Sequence, residues 1–167
     1  MLAVGHGAGA LLLRDSRAPG KIAQAWGLES APSALGFSPD GERLVLAYET
    51  ALTVVGLCSG VLGRAALGTG VSNGPVALAV LGPGLVVTLQ EPGDATPERQ
   101  STLRVFELLD DGAPRLRRKL ALKSDFAPAA VRGRPGWLGA FGGEGGFLTL
   151  HAGVCLTAWT SACEPRW

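Results

Sequence analysis

Residues 35–67, LGFSPDGERLVLAYETALTVVGLCSGVLGRAAL, restrict what this chain can fold into more than any other stretch. Leu35, Gly36 and Phe37 form a short run, and Ser38-Pro39-Asp40-Gly41-Glu42 follows with the composition of a turn. Pro39 presets φ for a turn, and Gly41 can take the positive φ that side chains resist. Residues 43–48 and 51–57 read as two further strands rich in Leu and Val, and Cys58-Ser59-Gly60 turns the chain into a fourth over 61–67. Four short strands joined by tight turns within about forty residues are one unit of a repeating, four-stranded β architecture.

The remaining sequence repeats that unit with its ends cut differently. Strands are expected over 1–5, 10–15 and 21–26, which supply the second, third and fourth strands (b, c and d) of a unit without its first (a). A complete unit follows over 75–81, 85–90, 102–108 and 115–122, with a polar loop at 91–101 predicted to project into solvent. A last unit runs over 136–141, 147–151 and 154–159, where Phe141, Glu144 and Gly145 align with Phe37, Asp40 and Gly41. The predicted boundaries are a partial unit at 1–28, full units at 32–68 and 74–123, and a partial unit at 135–167. Asp40, Gly41, Glu144 and Gly145 are read as structural turn residues, because Asp side chains hydrogen-bond their own turn and Gly accepts its φ. Helices have little room, since Pro and Gly interrupt every long apolar run.

Phe37-Ser38-Pro39-Asp40-Gly41 followed by Leu44-Val45-Leu46-Ala47 resembles the first strand, turn and second strand of WD40 or YVTN-type repeats. The Trp-Asp pair that closes the third strand in that superfamily is replaced by Gly56-Leu57, Arg14-Asp15, Phe106-Glu107 and Trp159-Thr160. The resemblance is to the superfamily and implies an all-β fold: a β-propeller portion of about three and a half four-stranded blades, forming a partial ring. It further implies a protein-interaction scaffold within a larger intracellular assembly, cytoplasmic or nuclear, with no catalytic residues, metal or cofactor of its own. With strand a missing from the first unit and strand d from the last, the chain is expected to need blades from a parent protein or to self-associate.

Composition agrees with this class. Hydrophobic residues make up 47% of the 167 and charged ones 17%, with 25 Gly and 11 Pro, a balance suited to buried strands between tight turns. The formal net charge of +1 gives no global field towards nucleic acid or anionic lipid. The uncharged part of 65–90 approaches membrane-spanning length, but Gly and Pro punctuate it at strand-like intervals. Cys58, Cys155 and Cys163 are odd in number and unclustered, and are expected to be small buried hydrophobes in a reducing compartment, with no support for a Cys155–Cys163 disulfide.

Few residues invite chemistry. His6 and His151 occupy similar places in the first and last units, but without carboxylate or thiol neighbours they make a poor metal site. Residues 142–146, GGEGG, superficially look like a phosphate loop, yet a strand follows where that motif needs a helix. Arg115, Arg117, Arg118 and Lys119, extended by Lys123, form one basic cluster on an outermost strand. Simple alternation would place Arg115, Arg117 and Lys119 on one face. Such cations commonly guard an edge against aggregation; the alternative is a partner-binding surface. Trp26, Trp137 and Trp159 are expected to pack between units, and Trp167 to be exposed. The possible partner-binding residues are therefore Arg115, Arg117, Lys119 and Trp167. Two other functions compete: a propeller enzyme of hydrolase, quinone or metal type, and nucleic-acid binding through 115–123.

Overall fold

A computed structural model describes residues 2–6, 10–15, 18–27, 30–67, 73–81, 84–92, 100–123, 137–140, 147–151 and 155–160. Side-chain surroundings are described for 30–67, 77–81, 84–90, 101–122 and 160. Every regular element among these residues is a strand. The first unit holds β1 (Leu2–His6), β2 (Ala10–Asp15) and β3 (Ala18–Gly27), and the second holds β4 (Ala34–Phe37), β5 (Arg43–Ala47), β6 (Ala51–Gly56) and β7 (Gly60–Ala66). The third holds β8 (Asn73–Val80), β9 (Leu85–Pro92), β10 (Gln100–Leu108) and β11 (Pro114–Lys123). The fourth holds β12 (Trp137–Ala140), β13 (Phe147–His151) and β14 (Cys155–Trp159).

Each unit is a separate antiparallel meander in which every strand pairs only with its neighbours in sequence. Among the described residues the second and third units are four-stranded, and the first and fourth are three-stranded.

The turn at 38–42 shows how sequence sets local structure. The Gly41 amide donates to the Ser38 carbonyl at 2.8 Å, and Gly41 has φ 73°. The Ser38 hydroxyl donates to Asp40 Oδ1, which also accepts from the Glu42 amide at 2.9 Å, while the Arg43 amide donates to Ser38 Oγ at 3.0 Å. These bonds to the charged form hold the Asp40 carboxyl below its ordinary range, the Ser38 bond foremost. Gly60 and Gly112, at φ 81° and 84°, occupy corresponding turns before the fourth strand of their units. Glu144 and Gly145 lie outside the described residues.

Alternation along the strands gives the second and third sheets two apolar faces. Val45, Ala47, Leu52 and Val54 of the second unit pack against Val86, Phe106 and Leu108 of the third, with Leu67 closing the layer. Leu44, Leu46 and Val55 form a second cluster with Leu35, Phe37, Tyr48 and Leu57. On the third unit, Ala79, Val87, Leu89, Leu103 and Val105 form another cluster, backed by Leu120 and Leu122. β8 touches both β4 and β12, so first strands neighbour one another from unit to unit. Sheets that are apolar on both faces are stable only in a stack, which is the logic of repeat architectures.

Two expectations need correcting. The polar segment expected at 91–101 is shorter than that, because β9 extends to Pro92 and β10 starts at Gln100. Ser101 is buried opposite Leu122, while residues 93–99 lie outside the described set. Cys58 is exposed rather than buried, because it sits in the β6–β7 turn instead of a strand. The Cys155 side chain and Cys163 lie outside the described residues.

Candidate functional site

β11 is the last strand in its sheet, and among the described residues no strand lies beyond it. Residues 115–119 are all exposed, and Leu116 retains 49% of its accessible surface. One acidic side chain accompanies them on β10. The Arg115 guanidinium donates to Glu107 Oε2, and this bond, helped by the charges of Arg115 and Arg117, holds the Glu107 carboxyl below its ordinary range. Asp110 and Asp111 lie in the preceding turn, where Asp111 Oδ1 accepts from the Ala113 amide at 2.8 Å. The edge is thus acidic at its turn and basic along the strand.

The cations do not share one face as simple alternation predicts. Register runs Glu107 to Arg115 and Phe106 to Leu116, and then jumps to Val105 opposite Arg118 and Arg104 opposite Lys119. The shift leaves Arg117 as the extra residue of a β-bulge. Directly opposed residues project to the same side of a sheet. Arg115 and Arg118 therefore stand on the face of Val105 and Leu103, and Leu116 and Lys119 on the face of Phe106 and Arg104. One inserted residue reverses the alternation downstream of it. Nothing in the sequence RLRRKLAL marks where that insertion falls.

A buried polar group that sequence reasoning missed lies behind this edge. Arg104 is 7% exposed, and its guanidinium donates to Gln90 Oε1 at 2.8 Å. Gln90 Nε2 donates in turn to the Glu49 carbonyl of the second unit at 2.7 Å. Burial pulls the Arg104 pKa down, but a guanidinium remains charged in proteins. Thr88, opposite Arg104 on β9, has a fully buried hydroxyl with no hydrogen-bond partner among the described residues. The signal for this group was Arg104 inside the otherwise apolar LRVF, opposite Thr88 in VVTLQ. Alternation puts Arg104 on the face of Phe106, but pairing it with Thr88 required the register.

Other candidates stay apart. Asp40 Oδ1 is engaged within its own turn, and His6 and His151 end β1 and β13, opposite Ala10 and Cys155. Trp26, Trp137 and Trp159 lie on β3, β12 and β14, whereas Trp167 and residues 142–146 lie outside the described set. Among the described residues there is no group of three or more His, Cys, Asp or Glu placed to hold a metal, and no helix long and apolar enough to cross a membrane.

Three solved structures superpose on this arrangement. A WD40 domain of SCAP from fission yeast matches with a TM-score of 0.61 at 11% identity, over 98% of this chain and 38% of that one. The fold is that of a WD40-like β-propeller portion. A protein of unknown function from Bacteroides caccae matches at TM-score 0.63 and 12% identity, over 99% of this chain and 55% of that one. A protein from Lactobacillus plantarum matches at 0.61 and 14%, over 95% of this chain and 48% of that one. The chain thus spans about half of those structures or less. No protein-family model matches it, and no curated protein is significantly similar in sequence. At these identities the likeness concerns the fold, and each meander corresponds to a blade.

Proposed function

We propose that this WD40-like segment is a protein-interaction scaffold within a larger intracellular assembly and performs no catalysis itself. The observation that carries this reading is the exposed basic edge of β11, where four cations and Leu116 face solvent on the outermost strand of a blade. Propeller folds are often interaction modules, which supports the reading by analogy of fold alone. The test is to isolate the full-length protein from cells, identify what co-purifies, and rebuild the complex from purified components. A stoichiometric complex that survives gel filtration supports the scaffold. Substrate turnover, or a rise of several degrees in melting temperature with a divalent metal, points instead to a propeller enzyme.

The same cations favour a second reading, nucleic-acid binding through 115–123. Phosphate contacts release counterions, so such binding weakens steeply with salt. Titration with a mixed-sequence oligonucleotide at several salt concentrations tests it. The absence of aromatic side chains from 115–123 counts against this reading, because single-stranded binders stack bases on aromatics.

A further inference from the structure

The geometry of β11 points to an acidic, extended peptide segment that adds to the third blade as a fifth strand; this rests on the interaction-module reading and specifies how it works. The first argument is topological. β11 runs ten residues, Pro114–Lys123, with β10 on one side and no described strand on the other. An edge strand offers a row of main-chain donors and acceptors along its free side, the template for strand addition.

The second argument is where the cations stand. A partner lying on one face of the blade would meet Arg115 and Arg118, or Lys119, but not all three, because the bulge at Arg117 divides them between the faces. Only a partner running along the edge itself is flanked by cations on both sides. An added strand alternates its side chains between the two faces, so acidic residues at successive positions would reach Arg118 on one side and Lys119 on the other. Leu116, exposed next to them on the Lys119 face, gives one apolar contact.

The third argument is the charge gradient. Asp110 and Asp111 mark one end of the strand and cations fill its middle. A uniformly acidic chain would be repelled at the turn, so the fitting segment is acidic over the stretch facing 117–119 and neutral or basic beyond it. Cations and a bulge also discourage edge-to-edge pairing between copies of the same protein. That negative selection is compatible with admitting a strand of opposite charge, since like-charged edges repel and unlike ones attract.

Fluorescence anisotropy on the full chain tests the proposal with three labelled probes. The first is a twelve-residue peptide with four successive Glu or Asp residues at its centre, so that acids reach both faces, and Val or Thr on either side. The second keeps its acidic residues but carries proline in place of Val or Thr, which removes main-chain donors. The third is a twelve-nucleotide single-stranded DNA. The acidic Val/Thr peptide is expected to bind, to slow amide exchange along β11, and to bind at least tenfold more tightly than the proline peptide or the DNA. The double variant R117E/K119E, at two exposed positions, is expected to weaken it at least tenfold while leaving the melting temperature unchanged. Failure of the acidic Val/Thr peptide to bind, equal binding by the proline peptide or the DNA, or an unaffected double variant overturns the proposal. If a rebuilt protein complex persists with R117E/K119E, the edge mode fails and the scaffold reading stands. If the peptide binds as described but the protein forms no complex, the scaffold reading fails and the edge mode stands.

Discussion

Gly63 on β7 and Ala113 before β11 touch backbone to backbone across the boundary between the second and third blades. A Cβ at Gly63 would lie 2.8 Å from the Ala113 Cα and 2.9 Å from Pro114 Cδ. Neither neighbour is the free end of a flexible side chain, so a methyl group there must push the blades apart. Leu62, the extra residue of the β7 bulge, packs beside this contact over Gly112, and the outer strands of the two blades close on each other through small residues.

Gly63→Ala is therefore expected to destabilise the protein by about 1–3 kcal/mol, the usual cost of overpacking a tight contact. Urea denaturation of the purified protein measures it. A change of a few tenths of a kcal/mol would mean that the blades separate easily and that the contact does not set their spacing.

Gly41 tests a different cost, because a Cβ there meets nothing within 4 Å. Its φ of 73° is the whole difficulty. Gly41→Val is expected to lose about 1–3 kcal/mol through backbone strain, whereas Gly41→Asn should lose clearly less, since Asn tolerates this region. Equal losses in the two variants, followed by thermal or urea unfolding, would show that strain is not the cause.

The sequence carries its blades legibly because a meander with tight turns is a local structure. Phe37-Ser38-Pro39-Asp40-Gly41 states its turn within five residues, and each apolar run between turns is long enough for one strand. What sequence does not carry is register. The bulge at Arg117 and the pairing of Arg104 with Thr88 follow from how β10 lies between two neighbours, and a shift of one residue exchanges the faces. The basic edge was thus visible as a cluster of cations, but not as cations divided between two faces. Cys58 shows a related limit: a small apolar residue two positions past the end of β6 passes from core to solvent.

The depressed pKa of Glu107 predicts a pH effect. The hydrogen bond from Arg115 favours the carboxylate in the folded state, so the folded pKa lies below the ordinary value of 4.5. The stabilisation is fully present above that value and is lost as the pH falls through the folded pKa. Glu107→Gln is expected to be slightly less stable than the native protein at neutral pH and to show a shallower loss of melting temperature below pH 4.5. The pair is exposed, so added salt should narrow the difference. Parallel acid profiles for the two proteins would show that Glu107 does not contribute.

Arg104 and Gln90 should behave as one unit rather than as two residues. Gln90 accepts from Arg104 and donates to the Glu49 carbonyl, so the chain of bonds ties β10 and β9 of the third blade to the β5–β6 turn of the second. Removing one member strands the other: Gln90→Leu leaves a guanidinium 7% exposed without its acceptor, and Arg104→Met leaves a buried amide oxygen without its donor. Each single change is expected to cost about 1–3 kcal/mol, with Gln90→Leu the costlier because it orphans a charge. The double variant Arg104→Met/Gln90→Leu replaces both by apolar side chains that extend the cluster around Phe106 and Val86, and should recover at least half of the summed single losses. A double-mutant cycle by urea denaturation gives the coupling directly. Additive losses would mean that the two side chains stabilise the blade boundary independently. A double variant less stable than the sum would mean that the buried charge itself holds the blades in place.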